Sequence, residues 1–203
     1  TGDLTNSNTN AGISGYSTGT PATSFRLADQ FTISQPCIIN SVDLYSYLTG
    51  GPGTSPFTAY TLQIWNGRPG DVGSSVVFGD TTTNRLAAST DSTYYRIFNT
   101  VAPSPPATPL PTPNTLRKIW RNTVTVNTTL PAGTYWLDWD STVTGSVSHF
   151  DPSKTISGLR GEPLDNARQF VGSTSTWQDV FDDGNPATAP DYPQDFPFDI
   201  NGG

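Results

Sequence analysis

The sequence predicts an all-β chain: a two-sheet antiparallel β-sandwich of jelly-roll or Greek-key type with little helix. Three observations carry this. About ten short runs rich in Val, Ile, Phe, Tyr and Trp recur along the chain, separated by clusters of Gly, Pro, Asn and Asp, the pattern of strands joined by turns. Glu162 is the only Glu against sixteen Asp, and helices favour Glu whereas Asp suits turns. Aromatics reach 11% although hydrophobic residues total only 33%, which points to a core of large flat side chains between pleated strands.

Residues Thr1 to Pro21 are almost wholly Gly, Ser, Thr and Asn, with Leu4, Ile13 and Tyr16 as the apolar anchors. Such a segment cannot bury enough surface to order itself alone. It reads as an extended arm that docks on its own domain or on a neighbouring copy, Leu4, Ile13 and Tyr16 being the candidate assembly residues. Residues 22–203 then form one sandwich domain, long enough for one sizeable core. The runs expected as strands are SFRLADQFTI, INSVDLYSYL, AYTLQIW, SVVFGD, TYYRIFNTV, LRKIWRNTVTV, GTYWLDWD, ARQFV, TWQDVF and FPFDI.

In AYTLQIW, Tyr60, Leu62 and Ile64 alternate toward the core and Thr61, Gln63 and Trp65 away from it. IWNGRPGD follows with Asn-Gly and Pro-Gly turn chemistry. In LRKIWRNTVTV the apolar phase slips between Ile119 and Val124, predicting a bulge or a strand that changes sheet. Six prolines between Pro103 and Pro113 mark 102–114 as a long surface crossover within the sandwich. DDGNPATAPDYPQD carries too much Pro and Asp for a central strand.

Ten Lys and Arg against seventeen acids give a formal charge of −7. Nucleic acid is excluded as an expected partner, because phosphate binding needs clustered cations. No run approaches the roughly 20 apolar residues of a membrane span. Cys37 is the only cysteine, so no disulfide forms within the chain, and it reads as a small buried hydrophobe. The absence of Met suggests a mature or excised segment, and the Thr, Ser, Asn and Gly richness suggests an extracellular setting.

Four stretches taken together, TLQIWNGRPGDVGSSVVFGDTTTNRL, YYRIFNTV, LPAGTYWLDWD and FPFDING, resemble in order a type of secreted bacterial cell-surface domain found in large exported proteins. The similarity runs from Ser24 to Gly202. It implies a β-sandwich presented outside the cell, and it implies no catalytic residues. The polar amino-terminal extension and the long proline crossover depart from that pattern and read as adaptations for assembly.

Enzymatic chemistry finds little support. GYSTG, Gly15 to Gly19, spells a nucleophile elbow around Ser17, but no apolar strand precedes it and Thr20-Pro21 follows where a helix should begin. His149 is the sole histidine and reads as an exposed or hydrogen-bonded residue at a strand edge. A glycoside hydrolase would need paired carboxylates across a cleft, for which Asp138, Asp140 and Glu162 are the candidates. Calcium is the one cofactor with a rationale, since Asp179, Asp182 and Asp183 cluster beside Gly184 and hard cations take several oxygens from a loop. Asn127 heads the sequon NTT.

Binding has a better footing in LPAGTYWLDWD. Strand alternation sets Tyr135, Leu137 and Trp139 on one face and Trp136, Asp138 and Asp140 on the other. The second face offers an aromatic plane and carboxylates, the ingredients of polysaccharide recognition. Tyr45 and Tyr47 alternate likewise with Asp43. The competing reading makes Trp136 a structural residue under a covered sheet. The leading expectation is therefore a non-catalytic extracellular building block of a filament, adhesin or matrix, self-associating by strand addition or joined to neighbouring domains. A carbohydrate-binding module is the alternative.

Overall fold

The computed structural model describes residues 13–14, 25–48, 50–51, 53–95, 116–145, 147–154, 162, 164–182 and 191–203. Among them there is no helix, and the strands are β1 (Ile13–Ser14), β2 (Phe25–Ile33), β3 (Cys37–Tyr47), β4 (Phe57–Trp65), β5 (Val76–Asp80), β6 (Leu86–Tyr95), β7 (Lys118–Leu130), β8 (Gly133–Val143), β9 (Phe150–Asp151), β10 (Arg168–Val171), β11 (Thr176–Asp179), β12 (Phe181–Asp182), β13 (Tyr192–Pro193) and β14 (Phe198–Gly202). They form two antiparallel sheets and a small β12–β13 ribbon. The front sheet runs β1-β9-β3-β7-β6 with β14 also paired to β3, and the back sheet runs β11-β10-β2-β8-β4-β5. The chain is all-β, as the sequence predicts.

Alternation decides which side chains meet between the sheets. Leu27 and Phe31 of β2, Leu62 and Ile64 of β4, and Tyr135, Leu137 and Trp139 of β8 face Val42 and Leu44 of β3 and Val124 and Val126 of β7 in one apolar cluster. β14 adds Phe198, whose ring meets Phe31 and Trp139 edge-on at 6.5 and 6.4 Å. Such edge-to-face pairs each contribute roughly 0.5–1.5 kcal/mol beyond burial.

Short motifs that stand out in the sequence turn out to be joints of this framework. In LPAGTY, the Tyr135 ring lies over Gly133, where a Cβ would come within 3.3 Å of it, and the Tyr135 hydroxyl donates to the Pro131 carbonyl at 3.1 Å. In FGDTTTNRL, Asp80 accepts from the amides of Thr82 and Thr83 at 2.8 and 2.6 Å. These donors hold its carboxyl far below the usual range. Asn84 receives the amides of Tyr60 and Leu86 at 3.2 and 3.0 Å, tying the connection between β5 and β6 to β4.

Two local expectations change. On the β3 side β7 pairs residue for residue from Ile119 to Thr125, where Asn122, a polar residue buried at a core position, interrupts the apolar row; on the β6 side the register does shift, between Leu86 and Ala88 and between Asp91 and Tyr95. The β3-side bulge lies further on. Ile39 pairs with Thr128 but Ser41 with Thr125, leaving one extra residue in β7, and Asn127 takes a φ of 57°, a left-handed conformation that Asn tolerates better than most residues. The strand sought in TYYRIFNTV already begins at Leu86 and is described as far as Tyr95; Arg96 to Val101 of that run lie outside the described residues. Leu4, Tyr16, Ser17, Asp183 and the crossover 102–114 lie outside the described residues.

Candidate functional site

The outer face of the back sheet carries Trp136 and Asp138, and it is covered. Asp138 is buried opposite Ala28 of β2 and Gln63 of β4. Arg26, which alternation places on the same outer face, brings its Nε within 3.0 Å of Asp138 Oδ1. Trp65 donates its indole N–H to Oδ2 at 3.1 Å. Burial raises the Asp138 carboxyl, and the Arg26 charge and these donors oppose it. Asp138 is thus a buried carboxyl whose partners are protein groups.

Above it lies a layer of rings and guanidinium groups. The Arg26 guanidinium sits 4.0 Å from the centre of Phe170 and 5.3 Å from that of Trp177, and Trp177 meets Trp65 edge-on at 6.4 Å. Arg68, carried by the NGRPG turn, lies 5.8 Å from the ring of Trp136, which is itself buried. Gly70 has a φ of 93°, and a Cβ there would stand 2.9 Å from Arg168 and 3.1 Å from Trp177, so glycine both makes the turn and lets it close over the β10–β11 hairpin. Arg168 donates to the Pro69 carbonyl at 2.6 Å. Asp179, sought as a calcium ligand, is ion-paired with Arg68 and Arg168. Asp182 falls in β12, and among the described residues no group of three or more His, Cys, Asp and Glu side chains is arranged to hold a metal ion.

Asp140, two residues beyond Asp138, accepts the Ser141 amide at 2.8 Å. Burial pushes its carboxyl up to about 7, against the lowering effect of that amide and of Arg26. It could exchange a proton near neutrality. The Glu162 backbone N–H donates to Asp165 at 3.0 Å, whereas Asp138 is held by Arg26 and Trp65.

A second buried polar group bridges the sheets. Asp151 of β9 accepts from Ser46 of β3 and from the Trp139 indole of β8 at 2.7 Å. Ser46 is 2.7 Å from the Tyr60 hydroxyl, Asn122 donates to Tyr60 at 2.9 Å, and Ser89 donates to Asn122 Oδ1 at 2.5 Å. Because the Asn122 amide also donates to the carbonyls of Leu44 and Trp120, its orientation is fixed, and the hydroxyls of Tyr60 and Ser46 must both donate toward Asp151. Burial pushes Asp151 up to about 6, and the Ser46 and Trp139 donors limit the rise. His149 is buried with its ring nitrogens 3.1 and 3.2 Å from the carbonyls of Val147 and Ser141. Burial lowers its proton affinity. Its role is to tie a loop to β8, not to act at an open strand edge.

The front sheet's outer face is the more open one. Tyr45 stands half-buried there, donating to Asp199 at 2.6 Å, and burial with the Asp199 carboxylate pushes its phenol up to about 12. Asp43 accepts from Thr123 at 2.5 Å and from Asn201 at 3.3 Å. Tyr47, in the same row, is buried with its ring stacked on Phe150 at 5.7 Å. Cys37 is half-buried at the margin of the core, and Asn127 is exposed. The structure thus brings Trp136 and Asp138 together with Arg26, Trp65 and Trp177, three partners that local sequence does not announce. Their signal was the shared outward phase of Arg26, Trp65 and Trp136 on strands that pair.

Compared with known protein families, with curated proteins and with solved structures, the chain matches none.

Proposed function

We propose that this chain is a non-catalytic structural or adhesive β-sandwich of the cell exterior, a building block that joins neighbouring copies by strand addition. The observation that carries the reading is the fate of LPAGTYWLDWD: Tyr135, Leu137 and Trp139 enter the core, while Trp136 and Asp138 lie under a lid of Arg26, Arg68, Trp65 and Trp177. The most reactive-looking run is consumed by packing. Support for assembly comes from β1, whose Ile13 and Ser14 pair with Asp151 and Phe150 at the edge of the front sheet. The same backbone bonds form equally well when the amino-terminal segment comes from a second copy.

Light scattering over a concentration series tests this. Full-length chain is expected to associate, and a variant lacking residues 1–21 to remain folded and monomeric. A full-length chain that stays monomeric at high concentration overturns the proposal. Carbohydrate binding stays as a second reading for one reason: Tyr45 presents part of its ring on the open face beside Asp43 and Asp199. A glycan array without hits removes it.

A further inference from the structure

β9 and β14 lie end to end along one side of β3: Phe150 pairs with Tyr47, and Phe198 to Gly202 pair with Leu44 to Ile39. β1 adds to the outer side of β9, with Ser14 opposite Phe150 and Ile13 opposite Asp151. Among the described residues β14 pairs with β3 alone, so its outer row of backbone N–H and C=O groups has no strand beside it. Such an edge is a template for an added strand. Its inward residues, Phe198 and Ile200, pack against the core but are only partly buried. Two other edges are less suited, because bulges and left-handed residues twist an edge out of line: β5 shifts register at Ile64/Trp65 and has Gly79 at a φ of 80°, and β6 shifts twice and has Thr93 at a φ of 64°. In the β14–β3 pair the extra residue, Asn40, belongs to β3.

Strand direction names the occupant. β9 and β14 both run antiparallel to β3, and β1 runs antiparallel to β9, so β1 is antiparallel to β14 as well. Because Phe150 pairs with Tyr47, Asp151 and its partner Ile13 are level with Ser46. Followed backward from Ile13, an extended arm therefore heads along the free side of β14. Gly12 comes level with Tyr45, where the edge passes from β9 to β14, and then Ala11 stands opposite Phe198, Asn10 opposite Asp199, Thr9 opposite Ile200 and Asn8 opposite Asn201.

We propose that residues 8–11, which lie outside the described residues, dock as an added strand on the open edge of β14 in this register, and that the arm belongs to a neighbouring copy. The choice of a neighbouring copy rests on the strand-addition reading above; the edge and the register do not. Opposed residues of an antiparallel pair share a face. Asn10 and Asn8 then stand beside Asp199 and Asn201, both exposed on the outer face, where an amide donates to the Asp199 carboxylate. Ala11 and Thr9 take the inner face and cover Phe198 and Ile200. The sequence NTNA, small or polar at every position, suits a strand held by its backbone and not by apolar pockets.

The test is disulfide trapping in the full chain carrying Cys37→Ser, under mild oxidation, with single-cysteine variants as controls for random collision. Asn8→Cys with Asn201→Cys, and Asn10→Cys with Asp199→Cys, put thiols on opposed positions; Thr9→Cys with Asn201→Cys puts them on opposite faces. The opposed pairs are expected to cross-link at least about tenfold faster, since only they meet disulfide geometry. Bands of dimer size and above place the arm on a neighbouring copy. A band of monomer size keeps the edge and register but overturns the neighbouring copy, and with it the strand-addition reading. Opposed pairs that cross-link no faster than the opposite-face pair overturn the docking edge, whatever light scattering shows. Hydrogen exchange supplies a readout without cysteines: removal of residues 1–12 is expected to speed exchange at alternate β14 amides by about tenfold and leave β7 unchanged, and β14 exchange equal to that of the full chain also overturns the docking edge.

Discussion

Asp151 shows how a single residue can dictate the placement of many others. No cation pairs with it among the described contacts, yet Ser46 and Trp139 both donate to it, Tyr60 supplies Ser46, and Asn122 supplies Tyr60. Every donor in the row points the same way, and the row passes between the sheets twice. Tyr60→Phe leaves the Ser46 oxygen and one Asn122 N–H without that hydroxyl in a buried setting, and is expected to cost about 1–3 kcal/mol. Urea unfolding of the variant reads this; an unchanged midpoint would show the row to be dispensable. Little of it was legible beforehand. Asp138 and Arg26 lie 112 positions apart, and Asn122 interrupts an apolar row in a way that mimics a slipped strand. Partners of buried polar groups are set by strand register, which only the assembled sheets define.

At the scale of elements, legibility tracked burial. β4 has neighbours on both sides and a core face, so Tyr60, Leu62 and Ile64 alternate cleanly, whereas in β8 the buried outward Trp136 breaks the alternation of Tyr135, Leu137 and Trp139. Among the described residues β6 pairs only with β7 and is mostly exposed, and its sequence LAASTDSTYY carries no such alternation until the final tyrosines. An edge strand without a buried face leaves no periodic signal. β5, the opposite kind of edge, is fixed by backbone approach: Gly79 has a φ of 80°, and a Cβ there would stand 2.0 Å from the Leu62 carbonyl oxygen. Gly79→Ala should therefore separate β5 from β4, adding about 1–3 kcal/mol of backbone strain to the clash. Hydrogen exchange at β5 would report it, and protection equal to wild type would contradict the assignment.

For the whole molecule, the inner face of the back sheet is spent on packing against the front sheet, and the part of its outer face around Trp136 and Asp138 lies beneath the NGRPG turn and the β10–β11 hairpin. The fold class was readable because two-residue periodicity and turn residues agree along the chain. The covering of the outer face was not, because Trp136 has the same strand phase whether it meets a ligand or a lid. The account stands on the lid. Equilibrium unfolding of Trp136→Ala tests it most directly: a loss of about 3–5 kcal/mol, the usual cost of truncating a packed tryptophan, is the predicted result. Stability within about 0.5 kcal/mol of wild type, the range of substitutions at unburied surface positions, would contradict it.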